Sequence, residues 1–208
     1  MNLLRFPLGQ MQANCYLLIE GNDCILIDPA DEAAFLLEEI MRRKLNLQAM
    51  LATHGHFDHV MAVGEIQKSF NVPLYIHKND EFLLKRIGAT ARHFLGYDPV
   101  ILPPSEVKYI KKGKQTVGTF TFKVIEIPGH TPGSVGYYFS GEKWLFSGDT
   151  LFKEGIGRCD FSYSSKIDLF KSLKNLFILP PLTEVYSGHG EETLIENESR
   201  IRNQDFEL

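Results

Sequence analysis

The sequence predicts a layered α+β (α/β) domain with helices outside and sheets inside, and three observations predict it. In the first half, short apolar runs bounded by turn residues alternate with stretches of helical period, the order that lays helices on a sheet. In the second half most patterned segments alternate apolar and polar residues, so strands dominate there. Hydrophobic residues make up 44% and charged residues 23% of the 208. That is the balance of a chain that buries a core, and the length suits a single domain over residues 1–208.

Residues 14–19 and 24–27 read as strands joined through Gly21-Asn22-Asp23, a hairpin connection. Asp28-Pro29 stops the second strand. Residues 32–43 then carry a helical stripe of Phe35, Leu36, Ile40 and Met41, with acidic residues early and basic ones late, as the helix dipole favours. A strand over 48–52 runs directly into Thr53-His54-Gly55-His56, followed by a helix over 60–70 and a strand over 72–76. Residues 81–86 have helical character. Residues 88–104 mix Gly, Pro and aromatics without a clear period and read as a long surface loop near a site, with His93, Phe94 and Tyr97 either packed in it or lining a pocket. Strands follow at 108–110, 120–127, 135–139 and 144–146, then a helix over 167–177, a strand over 184–186 and a polar tail that closes an α-β-α ending.

Charge and cysteine usage exclude several classes. Lysine plus arginine total 22 against 26 acidic residues, a net charge of -4, which argues against a nucleic-acid partner. Continuous apolar runs such as residues 16–19 and 24–27 fall far short of the ~18 residues of a membrane span, so no membrane partner is expected. No basic region followed by an apolar core opens the chain, so no secretory leader is expected. Cys15, Cys24 and Cys159 are odd in number and form no C-x-x-C pair. A disulfide framework is therefore unexpected, and a reducing cytoplasmic location is.

The chemistry concentrates in Thr53-His54-Gly55-His56-Phe57-Asp58-His59, four metal-ligand side chains within six positions after an apolar strand. In extended backbone, residues two apart face the same way, so His54 and His56 converge on one cation. The turn into the next helix brings Asp58 and His59 back toward the same place. Imidazole and carboxylate are ligands for zinc, iron or manganese. Three later segments repeat one design, an apolar strand ending in a small-residue turn that bears a ligand: Pro128-Gly129-His130, Ser147-Gly148-Asp149 and Ser187-Gly188-His189. Five histidines and two aspartates supply two metal ions, with one carboxylate left to bridge.

These motifs resemble the metallo-β-lactamase superfamily, whose signature is H-x-H-x-D-H followed by a distant His, Asp and His. The resemblance covers essentially the whole chain. It implies a four-layer αββα sandwich with the site at one edge of the two central sheets. It also implies that His54, His56 and His130 hold one divalent metal and Asp58, His59 and His189 a second, with Asp149 bridging them. Zinc is the expected metal, and iron and manganese accept the same ligands. Asp28 matches an acidic position that orients a ligand histidine. Such a pair lowers the pKa of a bound water from 15.7 toward ~7, so hydroxide is available at neutral pH. Asp58 and Asp149 are then the catalytic carboxylates.

The run Gly148-Asp149-Thr150-Leu151-Phe152, followed by Gly155-Ile156-Gly157-Arg158, resembles the glyoxalase II branch, the hydroxyacylglutathione hydrolases, in its short single-domain form. This resemblance implies a thioesterase acting on a small-molecule thioester such as S-lactoylglutathione, with Arg158 binding a glutathione carboxylate. Asp160 stands where that branch has a tyrosine two residues after its basic residue. With Leu208 closing the sequence, the branch's C-terminal helical domain is not expected. Gly157-Arg158-Cys159-Asp160-Phe161 also matches a G-R-x-D-F stretch of the persulfide dioxygenases. The alternative they imply is a mononuclear iron held by His54, His130 and Asp149.

Overall fold

The computed structural model describes residues 1–198 and 201. Six strands form a first sheet in the order β1-β2-β3-β4-β5-β6: β1 (Asn2–Leu8), β2 (Ala13–Glu20), β3 (Asp23–Ile27), β4 (Asn46–Leu51), β5 (Leu74–His77) and β6 (Val107–Ile110). The first three pair antiparallel and the last four parallel. The parallel steps are bridged by α1 (Ala33–Arg42), α2 (Val63–Ser69), and the pair α3 (Glu81–Leu84) and α4 (Ile87–Leu95). A second sheet runs β14-β13-β10-β9-β8-β7, from β7 (Gly113–Val117), β8 (Phe120–Glu126), β9 (Val135–Phe139), β10 (Trp144–Gly148), β13 (Glu184–Ser187) and β14 (Thr193–Leu194). The small ribbon β11 (Leu151–Phe152) and β12 (Gly155–Ile156) precedes α5 (Lys166–Leu176).

Strand alternation sorts the side chains into three apolar layers. Cys15 and Leu17 of β2 face α1, α2 and α4, while Tyr16 and Leu18 face the other sheet. Phe122, Val124, Tyr137 and Phe146 meet them from the second sheet. Leu145 and Val185 point outward, onto Leu169 and Leu173 of α5. The order is helix, sheet, sheet, helix: the four-layer αββα sandwich. In β4, Gln48 is an extra residue opposite the Cys24–Ile25 step, so Leu47 and Ala49 fall on opposite layers despite being two apart. Its amide donates to Asp23 Oδ1 at 2.9 Å.

Some elements depart from the sequence pattern. Residues 87–95, expected inside a loop, form α4, because Ile87, Ala91 and Leu95 repeat every four positions beneath Gly88 and the exposed aromatics. Gly96, at φ 76°, ends that helix. In α1, Leu36 and Ile40 are buried but Met41 is 67% exposed, and its first turn contains no acid. The predicted helix over 60–70 starts only at Val63, after a single 3-10 turn at Phe57–His59. β1, β7, β14 and the β11-β12 ribbon lie outside the predicted strands. The closing helix of the expected α-β-α ending falls largely outside the described residues. No helix among the described residues is long and apolar enough to cross a membrane.

Gly64 in α2 lies against the chain at Leu102, where an added Cβ would sit 2.0 Å from the Leu102 carbonyl oxygen. Backbone cannot yield as a side-chain tip can. Gly64→Ala is expected to cost about 1–3 kcal/mol through this overpacking, read as a Tm lower by several degrees in a thermal melt.

Candidate metal centre

β3, β4, β8, β10 and β13 all end at the same edge of the sandwich, and each delivers one piece of the site. Asp28 follows β3, His54 and His56 follow β4, and His130 follows β8. Asp149 follows β10, and His189 follows β13. The 3-10 turn carries Asp58 and His59. His54, His56 and His130 form one group whose ligand atoms lie within 4.8 Å of one another; Asp58, His59 and His189 form another, and His54, His59 and Asp149 a third. All seven side chains are therefore brought together. Asp149 reaches both sides, with Oδ1 3.5 Å from His59 Nε2 and Oδ2 3.6 and 3.7 Å from His130 and His189 Nε2.

Following the protons shows what this centre holds. Asp28 is 1% exposed. Its Oδ1 accepts the Thr53 amide at 2.7 Å, and its Oδ2 accepts the Thr53 hydroxyl at 2.7 Å and His59 Nδ1–H at 3.0 Å. With its proton committed to Asp28, the Thr53 oxygen accepts from His54 Nδ1 at 3.1 Å. His130 Nδ1–H donates to the Arg158 carbonyl at 2.8 Å. The outer nitrogens of His54, His59 and His130 thus carry the protons, and their Nε2 lone pairs point inward. His54 and His130 Nε2 sit 3.0 and 2.9 Å from the one His56 Nδ1, which has at most one proton to offer both. Among the described residues, buried His59 Nε2 and Asp149 Oδ1 have no hydrogen-bond partner. Converging lone pairs and unpaired buried acceptors fit a cation, and these His/Asp groups are metal-binding groups.

The electrostatics agree. Burial, then the neighbouring rings, holds His54 well below the ordinary histidine value and brings His56 down to about 3, so both are neutral ligands. Burial opposes charge on His59 as well, but the Asp149, Asp58 and Asp28 carboxylates outweigh it and lift the imidazole to about 10. A positive charge is favoured between those carboxylates. Asp58, despite burial, is held below the usual carboxylate range by His59 and His189.

Other residues of the site carry no motif. Asp80, buried at the end of a 3-10 turn, accepts Gly55 N–H (2.8 Å) and the Thr131 hydroxyl (2.7 Å) on Oδ2 and Gly133 N–H (2.6 Å) on Oδ1. It ties the His54–His56 loop to the His130 loop. Asn14 Nδ2 donates to the carbonyls of Ser187 and Gly190, and the Tyr16 hydroxyl to Ser187, anchoring the His189 turn. The Tyr163 hydroxyl meets His56 Nε2 at 2.8 Å. Gly188 is needed for space, since a Cβ there would lie 2.1 Å from Asp149 Oδ1. The centre opens into a cleft of about 180 Å³ lined on one side by Phe57 and Phe94 and on the other by Arg158, Phe161 and Tyr163. Phe94 is thus a lining residue, on a helix rather than a loop; His93 and Tyr97 do not line the cleft. The Arg158 guanidinium is paired with Asp160 at 2.7 and 2.8 Å.

Comparison with known proteins places this centre in a family. The family model described as the metallo-beta-lactamase superfamily matches residues 8–189. The chain belongs to the metallo-β-lactamase superfamily. Among members of the superfamily, it is 33% identical to the hydroxyacylglutathione hydrolase GloC of Haemophilus influenzae over 96% of each chain. A solved structure of TTHA1623 in a di-iron-bound form is 38% identical, with a TM-score of 0.88 over 95% of this chain and 97% of that one. The BLEG-1 B3 metallo-beta-lactamase structure is 36% identical, with a TM-score of 0.88 over 96% and 97%. The metallo-β-lactamase fold and a metal-dependent hydrolase follow from this membership.

Two substitutions test the supports. Asp28→Ala strips the acceptor from His59 and Thr53 and is expected to lower metal affinity about 10–100-fold, measured by competition with a chromogenic chelator. Burial lifts the Asp80 carboxyl above its ordinary value, against the pull of the Thr131 hydroxyl and the Gly55 and Gly133 amides. Between the ordinary carboxylate value and the raised folded one, the native state keeps a proton that the unfolded chain has lost. Asp80's contribution to stability is therefore fully present below that window and falls as pH rises through it. Asp80→Asn sets an amide NH₂ against a backbone N–H, costing about 1–3 kcal/mol, and removes that pH slope. Urea melts of both proteins across the acidic range give both effects.

Proposed function

We propose that this protein is a dinuclear-metal thioester hydrolase of the glyoxalase II type, acting in the cytoplasm on small-molecule thioesters such as S-lactoylglutathione, with neither nucleic acid nor membrane as partner. The observation that carries the reading is the arrangement of seven ligand side chains as two groups of three, with Asp149 reaching both, beside an open cleft. Likeness to GloC supports the thioester, likeness to the di-iron structure supports two metals, and three unpaired cysteines suit a reducing compartment. Zinc is the metal we assign.

His54, His56 and His130 would hold one metal and Asp58, His59 and His189 the other, with Asp149 between them. When bound, such a pair acidifies water and polarises the thioester carbonyl. Hydrolysis breaks the acyl carbon–sulfur bond and forms a carbon–oxygen bond with water. One water proton ends on the departing sulfur, giving a carboxylic acid and a thiol. The chain's own part is to fix geometry and protons. Asp28 and Thr53 keep His59 and His54 protonated on Nδ1, the Arg158 carbonyl does so for His130, and Tyr163 positions His56 through Nε2. Asp58, ionised at neutral pH, is a proton acceptor lining the cleft. Phe57, Phe94 and Phe161 shield the reacting carbonyl from bulk water.

Elemental analysis of the purified protein alongside an S-lactoylglutathione assay tests the reading. Two metals per chain are expected, with turnover abolished by chelation and restored by zinc. A β-lactam serves as the control substrate because of the likeness to BLEG-1. One iron per chain, no thioester turnover, and oxygen uptake with glutathione persulfide would overturn the proposal in favour of a dioxygenase.

A further inference from the structure

Resting on the thioesterase reading, we propose that the cleft prefers thioesters with uncharged, apolar arms, and that Asp160 sets this preference by neutralising Arg158. Arg158 is the only lysine or arginine lining the cleft among the described residues. An anionic thiol carrier would need it, and it is already engaged. Its Nε and one terminal nitrogen form a two-pronged pair with the Asp160 carboxylate, at 2.7 and 2.8 Å. The guanidinium also lies 4.3 Å from the Phe161 ring centroid, which fixes its plane. Asp160 is two residues away on the same segment, so the pair forms without any long-range fold contact.

The rest of the wall is mainly aromatic. Phe161 stacks on Tyr163 with centroids 5.4 Å apart and planes 15° from parallel, and it packs edge-on against His56. Across the cleft, Phe57 and Phe94 stack at 5.8 Å and 16°, with Met11 and Thr90 beside them. A substrate carboxylate entering here loses water, meets two aromatic faces and must displace Asp160 to reach the one guanidinium. An alkyl or aryl arm gains contact area on both walls at no such cost.

Both residues of the pair are more than half exposed, at 55% and 65% of their side chains, so the masking is worth a factor of about five at most, the scale of exposed ion pairs. The test uses the metal-loaded enzyme and two lactoyl thioesters, one of glutathione and one of an uncharged alkyl thiol, with wild type and Asp160→Asn. The wild type is expected to show the lower KM for the alkyl ester. Asp160→Asn is expected to lower the KM of the glutathione ester about three- to fivefold, an effect that fades at high salt, and to shift the alkyl ester by less than twofold. Calorimetric titration with glutathione itself reads the same masking without turnover. Tighter glutathione binding by Asp160→Asn supports Asp160's role even if neither ester is cleaved, an outcome that would sink the thioesterase reading alone. Unchanged or weaker glutathione binding by the variant, or a lower wild-type KM for the glutathione ester, would overturn the inference.

Discussion

Asp28 lies buried at the end of β3 in left-handed backbone, φ 50°, a conformation that costs an L-residue about 1–2 kcal/mol and that aspartate tolerates better than most. In return it places one carboxylate against three donors of two neighbouring segments. The rest of the site depends on the result. A carboxylate accepts and does not donate, so every proton near it must belong to its partners. His59 is thereby protonated on the side facing away from the centre, and Thr53 passes the same instruction to His54. One buried charge turns two imidazole lone pairs inward, where they repel one another unless a cation joins them.

A second buried carboxylate works on backbone instead of rings. Asp80 receives two amides and a hydroxyl from the loops that carry His54, His56 and His130, and so sets the spacing of the three-histidine group. Asn14 and Tyr16, from β2 of the first sheet, hold the His189 turn that follows β13 of the second. Val135 N–H bonds the Thr53 carbonyl at 2.8 Å, and the Tyr137 hydroxyl bonds the Ala52 carbonyl at 2.8 Å. These bonds stitch the two sheets together at the edge where the ligands emerge. The centre is therefore held from both sheets at once, on the seam between two packed layers.

The ligand set was legible in the sequence because it is dense and ordered. H-x-H-x-D-H is local, and the three later ligands each follow an apolar strand through a glycine turn. Asp28 was visible as an acid closing a strand, but its role came from the resemblance to the superfamily and not from any spacing. Asp80, Asn14 and Tyr163 were not, because each is an ordinary turn, strand or loop residue whose partner is 25 to 176 positions away. No spacing rule reaches across such distances. α4 escaped because glycine near its start and exposed aromatics masked a period carried by only three apolar residues. Edge strand β7 escaped because Val117 is its one apolar residue, and β1 because Pro7 interrupts the alternation of Leu4, Phe6 and Leu8.

The segment from Arg158 to Ser164 has two duties that cannot be separated. Its inner side supports the metal ligands. The Arg158 carbonyl accepts a hydrogen bond from His130 Nδ1–H, the Ser164 hydroxyl donates to the His130 carbonyl at 2.7 Å, and the Tyr163 hydroxyl contacts His56. Its outer side is the cleft wall, formed by the Arg158 guanidinium, Phe161 and the Tyr163 ring. A side-chain change confined to Arg158 or Asp160 alters the wall and leaves the supporting backbone in place. A change that moves this backbone would shift His130 and His56 along with the wall. Substrate preference can therefore vary cheaply at those two side chains alone, while the remainder of the segment is tied to the centre it supports.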